Sequence, residues 1–425
     1  MAFHNNSHKW YELDNAAIII PGSVRGSDTR VFRITCELKE DVDPDILQKA
    51  LDQVLPEFSY LNCALRKGLF WYYLDSIPES AKVGKDHLPA LSPLYFPGRY
   101  SLLYRVTYYG RRINLEMFHV LADGTGAFVF FRSLVTEYLS LRHGITVTRD
   151  VTETSSGEEK SSDAFSQYYR REKKSSQLRQ MTSTRAYQVK GEHDPNQQNH
   201  LIEGIVSAGQ FVDLAHQYHT TVGVLITALV IDAIVKDMSV HDRAKKPVVI
   251  SVPVNLRRFF PSETIRNFFG VINVRYDASG YDGKLEPVIA VVKQSFAEQL
   301  VPEKISQTMN SYSALAGNFA VKLIPNLLKE PGLKFFTSLT KSGVTGSVSN
   351  LERIRMPEEI AGYIDHFAAF MSAIRFQITI ASYGDKLVFG SAGSDLDHRM
   401  MLQFYRTLTK LGLSVTIATN DYNEE

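Results

Sequence analysis

The sequence predicts an α/β protein built of two mixed strand–helix units, and three observations carry that reading. The chain has 425 residues, enough for two domains or one bilobal unit with an ample core. Strand-like and helix-like stretches alternate in both halves, as expected of mixed sheets with flanking helices. Between the halves the composition turns polar and poor in large aliphatics. The predicted division is a first lobe over 1–145, a partly helical crossover over 146–200 and a second lobe over 201–425.

In the first lobe, "RVFRITCEL" (30–38) has the β-branched and aromatic content of a strand. "DPDILQKALDQVL" (43–55) follows with helical spacing, and Pro44 suits its first turn. "SYLNCAL" and "LFWYYLD" read as a hairpin about "RKG", and "LPALSPLYFPGRYS" (88–101) as a loop. "LLYRVTYYGRRINLEMFHV" reads as two strands around "YGRR". "AFVFFRSLVTEYLSLRHG" (127–144) is a helix with Gly144 as its stop. In the crossover a helical part is expected around 163–180.

The second lobe opens with two helices over 207–238, the second almost wholly apolar and therefore buried. Strands are expected at 246–256 and 270–277, with a helix at 285–300. A helical region broken at Pro325 leads to strands in "GVTGSVSNL", "AAFMSAIRFQITIASYG" and "KLVFGSAG". A helix over 397–412 closes the chain.

Composition narrows the function. A net charge of +1 gives no reason to expect nucleic acid or an anionic membrane as partner. Cys36 and Cys63 are too few for a disulfide framework and lack metal-ligand spacing. "MAFHNNSHKW" has no secretory pattern, and no apolar run reaches the length of a membrane span, so a cytoplasmic protein is expected.

One stretch stands apart. "MFHVLADGTGAF" sets His119 four residues before Asp123, which Gly124 and Gly126 follow. Ile113, Leu115, Met117 and His119 alternate, so the histidine falls on an apolar phase at a strand end, where burial favours neutral imidazole. Asp123 and the glycines then turn the chain into a helix. Residue types alone fit a buried histidine beside a polar helix cap equally well. "DGTG" is too short for a specific phosphate cradle, and a metal dyad would need further ligands.

"FHVLADGTGAF" matches the HxxxDG signature of the chloramphenicol acetyltransferase-like superfamily. "DPDILQKALDQVLPEFSYLNCALRKGLFWYYL" resembles the superfamily's early helix–strand pair. "SVPVNLRRFFPSETIRNFFGVINV" (251–274) is similar to the strand–arginine–loop–strand region of its second lobe. The resemblance spans nearly the whole chain and is closest to the alcohol acetyltransferase and condensation-domain branch. Two departures stand out. Phe118 occupies the position that is often a second histidine in condensation domains. The plant enzymes' DFGWG motif is absent, its nearest counterpart being "SVSNLERI" (347–354), where Glu352 stands in place of a glycine.

The resemblance implies two α/β lobes with an active-site tunnel between them, and a CoA-dependent O- or N-acyltransferase. No bound cofactor is implied; acyl-CoA is a co-substrate and the acceptor a small alcohol or amine, with lipid or polyketide-like acceptors included. It implies His119 as general base, Asp123 as a structural partner of Arg257 (Arg258 in reserve), and Gly124 as room for the thioester arm. Ser349 or Asn350 would supply the oxyanion donor. A monomer is implied, since two lobes complete the site in one chain. The alternatives are a condensation-type enzyme served by an acyl carrier protein, and an idle binding module of the same fold.

Other features read more simply. His216 and His219 suit a solvated helix face, and "RREKK" (170–174) a solvated linker. "FAVKLIPNLLKEPGLKFF" (319–336) suits packing better than a lipid entrance.

Overall fold

The computed structural model describes residues 9–147, 160–168, 185–307, 326, 342–373 and 375–420. Most of the expected crossover helix, the region around Pro325, the run 170–174 and most of 319–336 lie outside these residues. Three sheets organise the described residues. The strands are β1 (Trp10–Glu12), β2 (Val31–Leu38), β3 (Cys63–Lys67), β4 (Tyr72–Ser76), β5 (Gly84–Lys85), β6 (Tyr104–Tyr109), β7 (Arg112–Phe118) and β8 (His200–Ser207). They continue as β9 (Val248–Asn255), β10 (Phe269–Tyr276), β11 (Gly346–Arg353), β12 (Ile364–Met371), β13 (Phe376–Tyr383), β14 (Lys386–Gly393) and β15 (Thr416–Thr419). A small sheet runs β1-β4-β3, a five-stranded sheet β12-β2-β7-β6-β5, and a seven-stranded sheet β10-β9-β11-β13-β14-β8-β15.

Local chemistry explains the helices that cover the five-stranded sheet. Helix α1 (Pro44–Val54) starts on Asp43, whose carboxylate accepts from the backbone N–H of Asp45 and Ile46, with Pro44 in the first turn. Leu47, Ala50, Leu51 and Val54 form its buried stripe. Helix α2 (Gly124–His143) packs against α1 and ends where Gly144 turns left-handed at φ 64°. The apolar helix Val222–Asp237 lies buried under the seven-stranded sheet, between the helices Glu286–Gln299 and Arg399–Lys410.

Three features differ from expectation. The hairpin β3–β4 turns through Gly68–Trp71 and not about "RKG", so the exposed Leu69 and Trp71 belong to the turn. Strand β8 begins at His200, the last residue of the expected crossover, and runs through residues 201–206, for which no element was expected. Its interior carries the buried charge of Glu203, which breaks the apolar pattern of a central strand. "AAFMSAIRFQITIASYG" is two strands in two sheets. β13 lies within the seven-stranded sheet, while β12 pairs antiparallel with β2, matching Met371 with Phe32 and Cys36 with Phe367.

The two large sheets are joined by charge as well as by chain. His366 of β12 donates from Nε2 to Glu203 Oε1 of β8 at 2.8 Å and from Nδ1 to Asp365 Oδ2 at 2.7 Å. Arg112 of β7 donates to the same Glu203 at 3.1 Å and to Glu37 at 2.5 Å, and Lys386 pairs with Asp365 at 2.7 Å. Burial opposes the imidazolium, but the Glu203 and Asp365 carboxylates outweigh it and hold His366 above its usual 6.5. A raised histidine pKa stabilises the fold fully below the unfolded value and ceases to do so as pH rises through the folded one. The melting temperature of wild type relative to His366→Gln should therefore fall as pH is raised above 6.5. A pH-independent difference would refute the charged latch.

Candidate active site

His119 follows the last residue of β7, where the backbone leaves the sheet. Its N–H still donates to the carbonyl of Arg30 at 2.9 Å, and Leu121 N–H closes a turn onto Phe118 O at 3.0 Å. The imidazole is half-buried, edge-on to Phe32 with 5.4 Å between centroids and 5.8 Å from the Phe269 ring. Burial lowers its pKa below 6.5. The nearby Asp123 carboxylate opposes the shift and the Arg30 charge adds to it. At neutral pH the ring is uncharged.

Which nitrogen carries the proton follows from Asn267, a residue that sequence reasoning did not single out. The Asn267 amide is buried, and its Nδ2 donates to Asp14 Oδ2 at 3.1 Å and to His119 O at 3.1 Å. Both amide hydrogens are thereby used, so Oδ1 is the acceptor facing His119 Nδ1 at 2.9 Å. The proton sits on Nδ1, and Nε2 presents a lone pair. Asp14 is itself fully buried and accepts from Ala17 N–H at 2.8 Å. Burial raises its carboxyl pKa to about 6, against the opposing pull of Arg266 and Asn267.

Asp123 closes the loop. It caps α2, Oδ1 accepting from Gly126 N–H at 2.7 Å, while Oδ2 accepts from Arg257 Nη1 and from Phe268 N–H, each at 2.8 Å. Arg257 also donates to Thr264 O at 3.0 Å and Arg266 O at 2.7 Å. The pair thus clamps residues 264–268, which carry Asn267, against the loop that carries His119. Arg258 turns elsewhere, pairing with Glu352 at 2.8 Å.

The glycines of the motif serve close packing. A Cβ on Gly126 would lie 1.9 Å from the backbone oxygen of Ile265, whereas one on Gly124 would meet only the tip of Leu351, at 2.7 Å. Gly126→Ala should therefore push α2 off the 264–268 segment and cost roughly 1–3 kcal/mol of stability. Gly124→Ala should be far milder in the same denaturant titration, because a side-chain tip can swing aside and a peptide backbone cannot.

Ser349 and Asn350 lie on β11 beside Thr379 and Ile380 of β13. Leu351, two residues beyond Ser349 where β11 becomes irregular, lies over Gly124. Asn350 is exposed, and its Oδ1 accepts from Glu352 N–H at 2.7 Å. Neither forms a hydrogen bond with His119. Glu352 itself has φ 68°, the left-handed conformation that favours glycine. His216 and His219 gather no ligands, and no group of three or more metal-ligating residues occurs among the described residues. No single helix among them is long and apolar enough to cross a membrane.

The overall fold is one shared with acetyltransferases and condensation domains of known structure, at low sequence identity. No family model matches the sequence, and no curated protein matches it. Solved structures do. Trichothecene 15-O-acetyltransferase TRI3 of Fusarium sporotrichioides is 12% identical, with TM-score 0.62 over 94% of this chain and 93% of that one. F. sporotrichioides TRI101, solved with coenzyme A and T-2, is 8% identical, with TM-score 0.62 over 95% and 99%. The first condensation domain of the calcium-dependent antibiotic synthetase, bound to a substrate analogue, is 14% identical, with TM-score 0.60 over 97% and 100%.

Proposed function

We propose that the protein transfers an acyl group from an acyl-CoA thioester to a hydroxyl or amine acceptor. The observation that carries this reading is the Asn267 contact, which leaves Nε2 of a neutral His119 as a proton acceptor. Nε2 takes the acceptor's proton as its oxygen or nitrogen attacks the thioester carbonyl. The oxyanion that forms draws on a donor at β11, for which we assign the Ser349 hydroxyl ahead of the Asn350 amide. Collapse re-forms the carbonyl and breaks the C–S bond, and the imidazolium returns its proton to the departing thiolate. No covalent enzyme intermediate is needed. In this reading Asp123 and Arg257 position the base, and the thioester arm passes Gly124 with Leu351 turned aside.

The likeness to a structure holding coenzyme A supports free CoA as donor, and the condensation-domain likeness supports a carrier-bound thioester as the second reading. Thiol release from a panel of acyl-CoA thioesters, with mixed alcohols and amines as acceptors, tests the first. Acceptor-dependent release supports it. No release from any CoA ester, with turnover of a loaded carrier protein, transfers the function to the second reading; silence with both leaves a binding module.

Asn267→Leu should keep the fold but free Nδ1 and let the proton settle on either nitrogen. Loss of one hydrogen bond's worth of orientation, about 1 kcal/mol, lowers kcat roughly fivefold to tenfold. An unchanged kcat together with an unchanged pH profile would remove Asn267 from the machinery.

A further inference from the structure

Away from His119, Arg375 is partly withdrawn from solvent and faces no carboxylate among the described residues. Arg30, Arg66, Arg105 and Arg266 each have a nitrogen without a hydrogen bond, but each is ion-paired with a carboxylate. Arg375 differs. Its Nε is shielded from solvent and lacks a hydrogen-bond partner, and no ion pair compensates it among the described residues. Burial accordingly pushes the guanidinium pKa down.

Arg375 lines a crevice at the ends of β13, β14 and β8 that is partly open to solvent. The other ionisable side chains named there each have a polar partner. Asp395 faces His193 at 3.0 Å, and Asp397 pairs with Arg399 at 2.7 Å. Lys190 pairs with Asp242 at 3.3 Å and His200 with Asp194 at 3.0 Å. The guanidinium is left over. Val189, Ile202, Phe376, Met400 and Met401 give the crevice apolar walls. Desolvating an unpaired charge is costly unless a counter-ion completes it.

We propose that this crevice binds a small molecule carrying one carboxylate or phosphate on an apolar body, with Arg375 as the counter-ion. The proposal does not depend on acyl transfer. Calorimetric titration of the full chain with hexanoate, hexyl phosphate and hexanol tests it. At least one anion should bind more tightly than hexanol. Arg375→Gln should weaken that binding at least tenfold, and Arg375→Lys should restore part of it. A preference for hexanoate or for hexyl phosphate identifies which oxyanion is recognised. Binding of neither anion, or equal binding by Arg375→Gln, overturns the proposal. Thermal melts of the ligand-free protein give a second reading. An uncompensated charge predicts that Arg375→Gln melts at or above wild type, whereas a clear fall would show that Arg375 is paired within the protein and would also overturn the site.

Discussion

His119→Ala is expected to lower acceptor-dependent thiol release by roughly 10²–10⁴-fold while leaving the far-ultraviolet dichroism unchanged. The side chain contributes one hydrogen bond to Asn267 and ring contacts to Phe32 and Phe269, so its removal leaves the β7–α2 connection standing. What disappears is the lone pair on Nε2. The wild-type profile carries the same signature, because burial disfavours the imidazolium and rate should climb to a plateau with its half-point below pH 6.5. A variant that keeps wild-type turnover, or a wild-type rate that falls as pH rises from 6 to 8, would remove His119 as the base.

Breaking the Asp123–Arg257 pair should have the largest effect on stability. Both side chains are largely buried, and Arg257→Met leaves a carboxylate that still accepts from two backbone N–H groups but has lost its cation. The expected cost is roughly 3–5 kcal/mol in a denaturant titration. Asp123→Asn should cost less stability but lower activity, because the 264–268 segment loosens and with it the Asn267 contact that orients the imidazole. A fully stable, fully active Asp123→Asn protein would show that the clamp positions nothing.

Local rules accounted for much of the fold. Pro44 opening α1, Gly144 ending α2 and the alternation along β7 are properties of short windows and were readable in them. Long-range pairing was not. Nothing around residue 366 indicates that β12 belongs beside β2, and the buried Glu203 disguised β8, because its partners His366 and Arg112 lie far away in the chain. The site divides the same way. His119, Asp123 and Gly124 form one local motif, and Arg257 was reached only through the resemblance. Asn267 is separated from His119 by 148 positions and from Asp14 by 253, and an asparagine or aspartate in a loop carries no mark of the bond it makes across the fold.

The position of β12 has a consequence for biosynthesis. Thr29 and Ser372 share a hydrogen bond at 2.9 Å across 343 residues, and the whole outer edge of β2 is covered by a strand that leaves the ribosome late. Until residue 371 has been synthesised, the first sheet has an open edge next to the histidine loop, and unpaired edges recruit wrong partners. The amino-terminal half therefore completes its sheet only after β12 has been made. Expressed alone, it should aggregate where the full chain folds.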